Sequence, residues 1–147
     1  MYFQSRDKFD FILINNHLKP GDAAREIEAL PEVIAWFRAL WGDPDALTLG
    51  DFNADGFYYD ESQLSAVFPE EKYTIIITND QDTTVAKSEN TYDRFIITSE
   101  ALEDYTGRCG VWRFDEEYGF SEYTIMPREV SDHYPIWAEF YTNMDTD

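Results

Sequence analysis

The stretch "TLGDFNADGFYYDES", residues 48–62, marks the point where an apolar run gives way to a polar loop. The run from Ala46 to Leu49 has the composition of a buried strand, and it stops at Gly50. The acidic and amide side chains that follow are Asp51, Asn53, Asp55, Asp60 and Glu61. Such a segment is either an ordinary solvated loop or a strand end that holds a metal ion or a phosphate.

Further strands are predicted on both sides of this stretch. Each is a run of β-branched, aliphatic or aromatic residues bounded by polar or turn residues. The predicted strands are residues 9–17 ("FDFILINNH"), 45–53, 72–78 ("KYTIIIT"), 91–99 and 133–141 ("HYPIWAEFY"), with a short one at 121–127 ("SEYTIMP"). The unbroken apolar run in 72–78 predicts burial of both faces of that strand. Residues 100–121 are predicted as a loop with one helical turn.

One long helix is predicted after the turn "KPGD", with Asp22 as its N-cap. Its apolar face is formed by Ile27, Leu30, Ile34, Phe37 and Trp41. Pro31 is expected to kink this helix or to split it in two, and Gly42 ends it. A second, short helix is predicted in "ESQLSAVF", residues 61–68.

This order of elements predicts an α/β (α+β) fold, with one mixed β-sheet and helices on one face. The 147 residues suit a single domain, residues 1–147. Residues 1–5 are either the scar of a cleaved purification tag or an edge strand, and residues 142–147 are expected to fray. Because the long helix covers only one face of the sheet, something else must cover the other apolar face.

The composition is that of a folded and strongly acidic protein. Acidic residues number 30 against 11 basic ones, and the net charge is -19. This charge argues against simple nucleic-acid binding, which depends on basic side chains at the phosphates; an acidic surface suited to concentrated salt is one interpretation. Cys109 is the one cysteine, which excludes an intrachain disulfide. Neither a signal peptide nor a membrane span is predicted, and the compartment stays open.

Polar clusters lie at the ends of several predicted strands. They are Asn15–His17, Asp51 with Asn53, Tyr92 with Asp93, and Ser131–His133. Each alone is explained by turn or cap chemistry. Ligand-binding and catalytic groups also favour strand ends that a rigid sheet holds in place.

In the order "NNHLKPGD", "GDFNAD", "NTYDR" and "SDHYP", these motifs resemble the endonuclease/exonuclease/phosphatase superfamily, and within it the deoxyribonuclease I-like branch. The resemblance covers residues 2–141 and implies metal-dependent phosphodiester hydrolysis, with Mg²⁺ or Mn²⁺ as cofactor and DNA as substrate. The residue roles that it implies are His17 and His133 as the catalytic histidines, Asp93 as the partner of His133, Asp51 and Asn53 at the reacting phosphate, and Asp132 with Asp51 at the cation.

The same resemblance extends to a structural calcium site in some members of the branch, here at Asp82 and Thr84. The match is partial, because Ala86 and Lys87 follow where further oxygen ligands would be needed.

The resemblance implies only the C-terminal half of a four-layer αββα sandwich. No stretch matches the metal-binding Glu of the N-terminal half, or the carboxylate that pairs with the first histidine. A second copy in a symmetric homodimer is expected to cover the open sheet face. The rivals are a separate N-terminal partner and a chain that is a fragment of a longer one.

The expected function is therefore that of a deoxyribonuclease I-like endonuclease that acts as an assembled dimer. Two alternatives stay open. One is a phosphatase or phosphodiesterase for a small substrate, and the other is a non-catalytic half-domain or subunit that needs an N-terminal partner.

Overall fold

A computed structural model describes residues 1–5, 8–120, 127–143 and 145. The strands are β1 (Tyr2–Gln4), β2 (Asp10–His17), β3 (Ala46–Asp51), β4 (Tyr73–Ile75), β5 (Asp93–Thr98), β6 (Tyr105–Val111) and β7 (Ile136–Phe140). The helices are α1 (Ala23–Trp41), α2 (Leu64–Val67) and α3 (Phe114–Glu117), and 3-10 turns cover Pro20–Asp22, Glu61–Gln63 and Pro127–Glu129.

The first five strands form one mixed sheet in the spatial order β1–β2–β3–β5–β4. β2 and β3 run parallel, and the other neighbouring pairs run antiparallel. α1 lies in the connection between the two parallel strands, which need such a crossover. β6 and β7 pair in a separate two-stranded antiparallel sheet. The predicted mixed sheet with helices on one face is confirmed.

α1 begins after Asp22 and ends at Gly42, as predicted, but the Asp22 side chain does not cap the helix and instead accepts from Nζ of Lys19 at 2.6 Å. Gly42 has the left-handed conformation (φ 73°), and its N–H donates to the carbonyl of Arg38 at 2.8 Å. Of the two effects expected at Pro31, a kink or a split, the split is wrong, because α1 runs through the proline without interruption. Buried side chains on both sides of the proline hold the helix on the sheet and outweigh the one lost hydrogen bond: Ala23, Ile27, Leu30 and Ile34. No helix of the described residues is long and apolar enough to cross a membrane.

The sheet separates two hydrophobic cores. The core under α1 and α2 contains Ile12, Ile14, Leu30, Ile34, Leu64, Phe68 and Ile96, among others. The core on the opposite face contains Phe9, Leu47, Ile76, Ile77, Phe95 and Ile97. β2 and β5 serve both cores because successive side chains of a strand point to opposite faces.

The second face of the sheet is covered in part by the chain itself. Phe140 of β7 stacks on Phe9 at 5.6 Å and lies 6.2 Å from Phe95, measured between ring centroids. At the β1–β3 end of the same face, four apolar side chains stay partly exposed. We call them the apolar strip: Phe3, Phe11, Leu13 and Leu49.

Several predicted strands have different bounds in the structure. β4 ends at Ile75, because the N–H groups of Ile76 and Ile77 both point to the carbonyl of Phe95 and so leave the regular ladder. β7 begins only after Pro135, which has no N–H to donate. β6 lies where a loop was predicted; its half-exposed sequence "YTGRCGV" lacks an apolar pattern, and its partner β7 is distant in the sequence.

The two ends of the chain were left open by the sequence. Tyr2–Gln4 pairs with β2 as an edge strand, which agrees with one of the two interpretations of residues 1–5 and leaves their origin undecided. Residues 121–126 of the strand predicted at 121–127 lie outside the described residues. Part of the tail predicted to fray, residues 142–147, also lies outside them.

Gly50 should be essential for the stability of the sheet. A Cβ added there would lie 2.1 Å from the carbonyl oxygen of Asn16 on β2, and the backbone φ of +117° is unfavourable for other residues. We expect Gly50→Ala to lower the free energy of unfolding by about 3 kcal/mol or more, measured by urea denaturation. Gly21→Ala is the control, because an added Cβ meets nothing within 4 Å there. Equal stability of the two variants would contradict this prediction.

Candidate active site

Three polar side chains stand in a row where β2 and β3 end and β5 begins. The parallel register pairs His17 with Asp51, and the antiparallel register pairs Asp51 with Asp93. All three residues therefore lie side by side at one edge of the sheet. The register of the backbone alone brings together three of the site residues predicted from the sequence.

His133 joins this row from the segment before β7. Its backbone forms a bridge to Thr84, and its N–H donates to the hydroxyl of Ser131 at 3.1 Å. Its Nδ1 lies 2.6 Å from Oδ2 of Asp93, and a proton on Nδ1 donates to that carboxylate. This hydrogen bond raises the pKa of His133 above its usual value, although burial acts in the opposite direction. The contact fixes the ring and leaves Nε2 available for proton exchange.

Asp51 lies between the two imidazoles. Its Oδ2 is 3.7 Å from Nε2 of His17 and 4.0 Å from Nε2 of His133. Burial raises the pKa of Asp51, and the charge of Asp93 adds to this; the N–H of Asn53 and the two histidines act against it. Because the His17 side chain is 80% exposed, the open side of the site is at the β2 end of the row.

Asn53 is buried and held in a strained backbone conformation. Its φ of 49° lies in the left-handed region, the only such value for a non-glycine residue in the described part of the chain. Its N–H donates to Oδ1 of Asp51 and its side-chain Nδ2 to the carbonyl of Leu18, both at 2.8 Å. Strain of this kind concentrates at functional sites, where surrounding contacts maintain it.

Arg94 is a buried residue that sequence reasoning did not single out. It is 0% exposed; Nη2 donates to the carbonyl of Ala54 at 3.0 Å, and Nη1 donates to Oδ1 of Asn79 at 2.8 Å and to the carbonyl of Ile77 at 3.3 Å. Burial lowers its pKa to about 10, so the guanidinium stays charged at neutral pH. The sequence signal was a charged residue at the head of the apolar run "FIIT".

The acidic side chains differ in their suitability for a cation. Asp51, Asp93 and His133 form a group whose candidate ligand atoms lie within 4.8 Å of one another. In this group the Asp93 carboxylate is already engaged by His133. Asp132, predicted as a metal ligand, is exposed and lies outside the group. Mg²⁺ prefers oxygen ligands and keeps several waters, so few carboxylates are needed to hold it; Asp51 and Asp132 as its ligands stay a prediction.

The segment predicted to bind calcium is closed by its own hydrogen bonds. Oδ1 of Asp82 accepts from the N–H and the hydroxyl of Thr84, both at 3.0 Å, and from the N–H of Asn90 at 3.2 Å. Oδ2 lies 3.8 Å from Nη1 of Arg113. These contacts account for the burial of Thr84 without an ion, and calcium at Asp82 and Thr84 stays a prediction.

Comparison with known proteins agrees with the resemblance seen in the motifs. The chain is similar to deoxyribonuclease-1 of Oryctolagus cuniculus, with 31% identity over 131 residues, and to that of Homo sapiens, with 30%. It is also 29% identical to deoxyribonuclease-1-like 1 of Cricetulus griseus. These alignments cover 86%, 86% and 87% of this chain but 46%, 46% and 42% of the relatives. The chain thus spans about half the length of the curated relatives that it matches.

The fold is consistent with the similarity to deoxyribonucleases seen in the sequence. Among solved structures, a mannosyl-6-phosphatase of Bacteroides thetaiotaomicron superposes with a TM-score of 0.55 and 14% identity, over 90% of this chain and 52% of that one. At this identity the likeness concerns the fold alone. No family model matches the chain. The chain matches the C-terminal half of the deoxyribonuclease I-like fold, and the recognition made from the motifs is confirmed.

Replacing Asp93 should change the ionisation of His133. We expect Asp93→Asn to lower the pKa of His133, measured by NMR titration of the imidazole signals. His17→Gln identifies the signal of His133, because the chain has two histidines. Because the pKa of His133 is higher in the folded state than its unfolded value of about 6.5, the Asp93–His133 pair stabilises the fold fully at pH values below about 6.5. This stabilisation is lost as the pH rises through the pKa of the folded state.

The control for this titration is Glu103→Gln. Glu103 is an exposed carboxylate that follows the C-terminal end of β5, whereas Asp93 begins that strand. It should leave the pKa of His133 unchanged. An unchanged titration in Asp93→Asn would contradict the role given to this hydrogen bond.

Proposed function

We propose that this chain forms the C-terminal half of a divalent-metal-dependent phosphodiesterase, specifically a deoxyribonuclease I-like endonuclease. The observation that carries the proposal is the row of His17, Asp51 and Asp93 with His133 bonded to Asp93. Two histidines around one carboxylate oxygen can move two protons. Hydrolysis of a phosphodiester needs two proton transfers: one proton leaves the attacking water, and one proton reaches the departing oxygen.

His133 is the first proton carrier in this proposal. Asp93 keeps a proton on Nδ1, so Nε2 takes a proton from water or gives one to the leaving oxygen. The raised pKa of His133 increases its protonated fraction near neutral pH, which favours protonation of the leaving oxygen. His17 faces the same oxygen of Asp51 from the other side and is the second carrier.

Asn53 and Asp51 face the phosphate in this proposal. The two bonds that anchor Asn53 use its N–H and one of its two amide hydrogens, so the second amide hydrogen can donate to a non-bridging oxygen. Asp51 and Asp132 would hold Mg²⁺ or Mn²⁺. When bound, such a cation neutralises phosphoryl charge and helps to ionise water.

Assembly with a second polypeptide surface completes the proposal. The apolar strip leaves part of one sheet face without a covering layer, and the relatives are about twice as long. A second copy that packs sheet against sheet would cover the strip in both chains. The rivals are an N-terminal half, in the same or in another chain.

Two other functions have specific support. The fold neighbour is a phosphatase, and the charge of -19 opposes a polyanionic substrate, so a small phosphoester is the second candidate. The third is a subunit without activity of its own, since His17 has no carboxylate partner in the described residues other than Asp51.

The activity is tested by nicking of supercoiled plasmid with Mg²⁺ or Mn²⁺ over a salt series. His133→Ala and Asp51→Asn should each lower the rate by about 10²- to 10⁴-fold, because each removes a proton carrier or the group between the carriers. Glu103→Gln is the control and should match the wild type. Nicking that survives both site variants would refute the assignment.

The same preparation separates the three candidate functions. Hydrolysis of a small phosphoester without plasmid nicking would favour the phosphatase. Absence of both activities with Mg²⁺, Mn²⁺ or Ca²⁺, followed by recovery when an N-terminal half is added, would favour the subunit.

The assembly is tested by light scattering at micromolar concentration. We expect the mass of a dimer, and dissociation by Leu13→Asp, because Leu13 lies in the apolar strip of the packed face. Leu40→Asp is the matched control, since Leu40 is a 54% exposed leucine on α1. A folded wild-type monomer would contradict the homodimer and leave the N-terminal half as the missing layer.

A further inference from the structure

β4 is the outermost strand of the five-stranded sheet, and one of its edges has no neighbouring strand among the described residues. The hydrogen bonds that flank β4 show which backbone groups face β5. The carbonyl of Lys72 accepts from the first N–H after β5 at 2.9 Å, and the N–H of Ile76 donates to the carbonyl of Phe95 at 2.7 Å. Because backbone groups alternate in direction along a strand, the carbonyl of Tyr73 and both the N–H and the carbonyl of Ile75 point away from β5. β4 thus presents an open edge to a further strand.

A groove of about 670 Å³ lies along this open edge, between β4 and α2. We call it the β4 groove. Its floor is apolar and consists of Leu64, Phe68, Tyr73 and Ile75. The volume is in the range of ligand-binding clefts. An occupant of the groove would meet backbone groups of the strand on one side and apolar side chains on the other.

The rim of the β4 groove is acidic. Glu61, Glu70 and Asp80 line it, and no lysine or arginine lines it among the described residues. Nη2 of Arg94 lies 3.9 Å from Oε2 of Glu61, but this guanidinium is buried and donates to oxygens of two loops. The rim therefore attracts cations and repels phosphate groups, so that neither DNA nor an anionic lipid headgroup suits the groove.

We propose that the β4 groove binds an extended segment of a partner protein in which aliphatic and basic residues alternate. The segment adds a strand to β4: one of its residues exchanges two hydrogen bonds with Ile75, and another donates to the carbonyl of Tyr73. Alternate side chains of a strand share one face, so the aliphatic side chains contact the floor and the basic ones stay in water near the rim. Binding of such a segment does not depend on the proposed hydrolysis.

An extended peptide of a partner protein fits the β4 groove better than a small cation or a second copy of this chain. Main-chain hydrogen bonds supply affinity in strand addition, and a small cation makes none of them. The three residues of β4 span about 10 Å, so a segment of about six residues extends past both ends of the strand. This chain has no stretch in which aliphatic and basic residues alternate, so a second copy does not supply the segment.

The first test measures binding of a fluorescein-labelled peptide, three repeats of Lys-Val, by fluorescence anisotropy at one fixed salt concentration. We expect saturable binding, whereas the corresponding Glu-Val peptide should not bind. Glu70→Lys should raise the Kd about fivefold, because a cationic rim residue repels the peptide. Glu71→Lys is the matched control, since Glu71 is exposed and does not line the β4 groove.

A second variant fills the groove and leaves the charge of the chain unchanged. Ser65 is exposed and lines the β4 groove, so Ser65→Phe places a ring there and should prevent saturable binding. Ala66→Phe is the matched control, because Ala66 is an exposed neighbour on α2 that does not line the groove. Both positions are exposed, so neither variant disturbs the core.

Strand addition is tested by N-methylation of the peptide, because alternate N–H groups of an extended chain point to the same side. Methylation at every lysine or at every valine should abolish binding in one case and preserve it in the other. Hydrogen exchange of the Ile75 amide, followed by NMR, should slow when the Lys-Val peptide is added. Equal affinities of the two methylated peptides would overturn the proposal. So would equal effects of Glu70→Lys and Glu71→Lys, or a folded wild type that does not bind the peptide.

Discussion

The register between β2, β3 and β5 is the constraint on which the rest of the structure depends. Strand side chains alternate between faces, so a slip by one residue would exchange the two hydrophobic cores and separate His17, Asp51 and Asp93. Gly50 allows the close approach that this register needs, because β3 comes so near to Asn16 that no side chain fits. Packing and site geometry are thus fixed by the same backbone pairing.

The buried guanidinium of Arg94 extends this order from the strands to the loops. It follows Asp93 directly, and it binds the carbonyl of Ala54 on one loop and Asn79 on another. A buried charge is costly unless it is well bonded, so both loops must keep the positions in which their oxygens meet it. The strained Asn53 lies in the loop that Arg94 holds, and this explains how the strain persists.

The sequence allowed the sheet, α1 and the residues of the site row to be predicted, because these depend on local apolar patterns and on contiguous motifs. It did not allow β6 to be predicted: "YTGRCGV" has no alternation, and only pairing with the distant β7 makes it a strand. Arg94 was missed for a related reason. Its role depends on three carbonyl and amide oxygens from separate segments, and no spacing in the chain records their convergence.

The apolar strip and two residues of the site row lie on the same strands. β2 carries Leu13 of the apolar strip as well as His17, and β3 carries Leu49 as well as Asp51. On the β5 side the chain supplies both parts itself, since Phe140 covers Phe95 and His133 meets Asp93. A layer packed on the strip would therefore border the exposed imidazole of His17. In the assembly proposed above, one added layer would both bury the apolar strip and lie beside His17, so that assembly and catalysis become a single physical question.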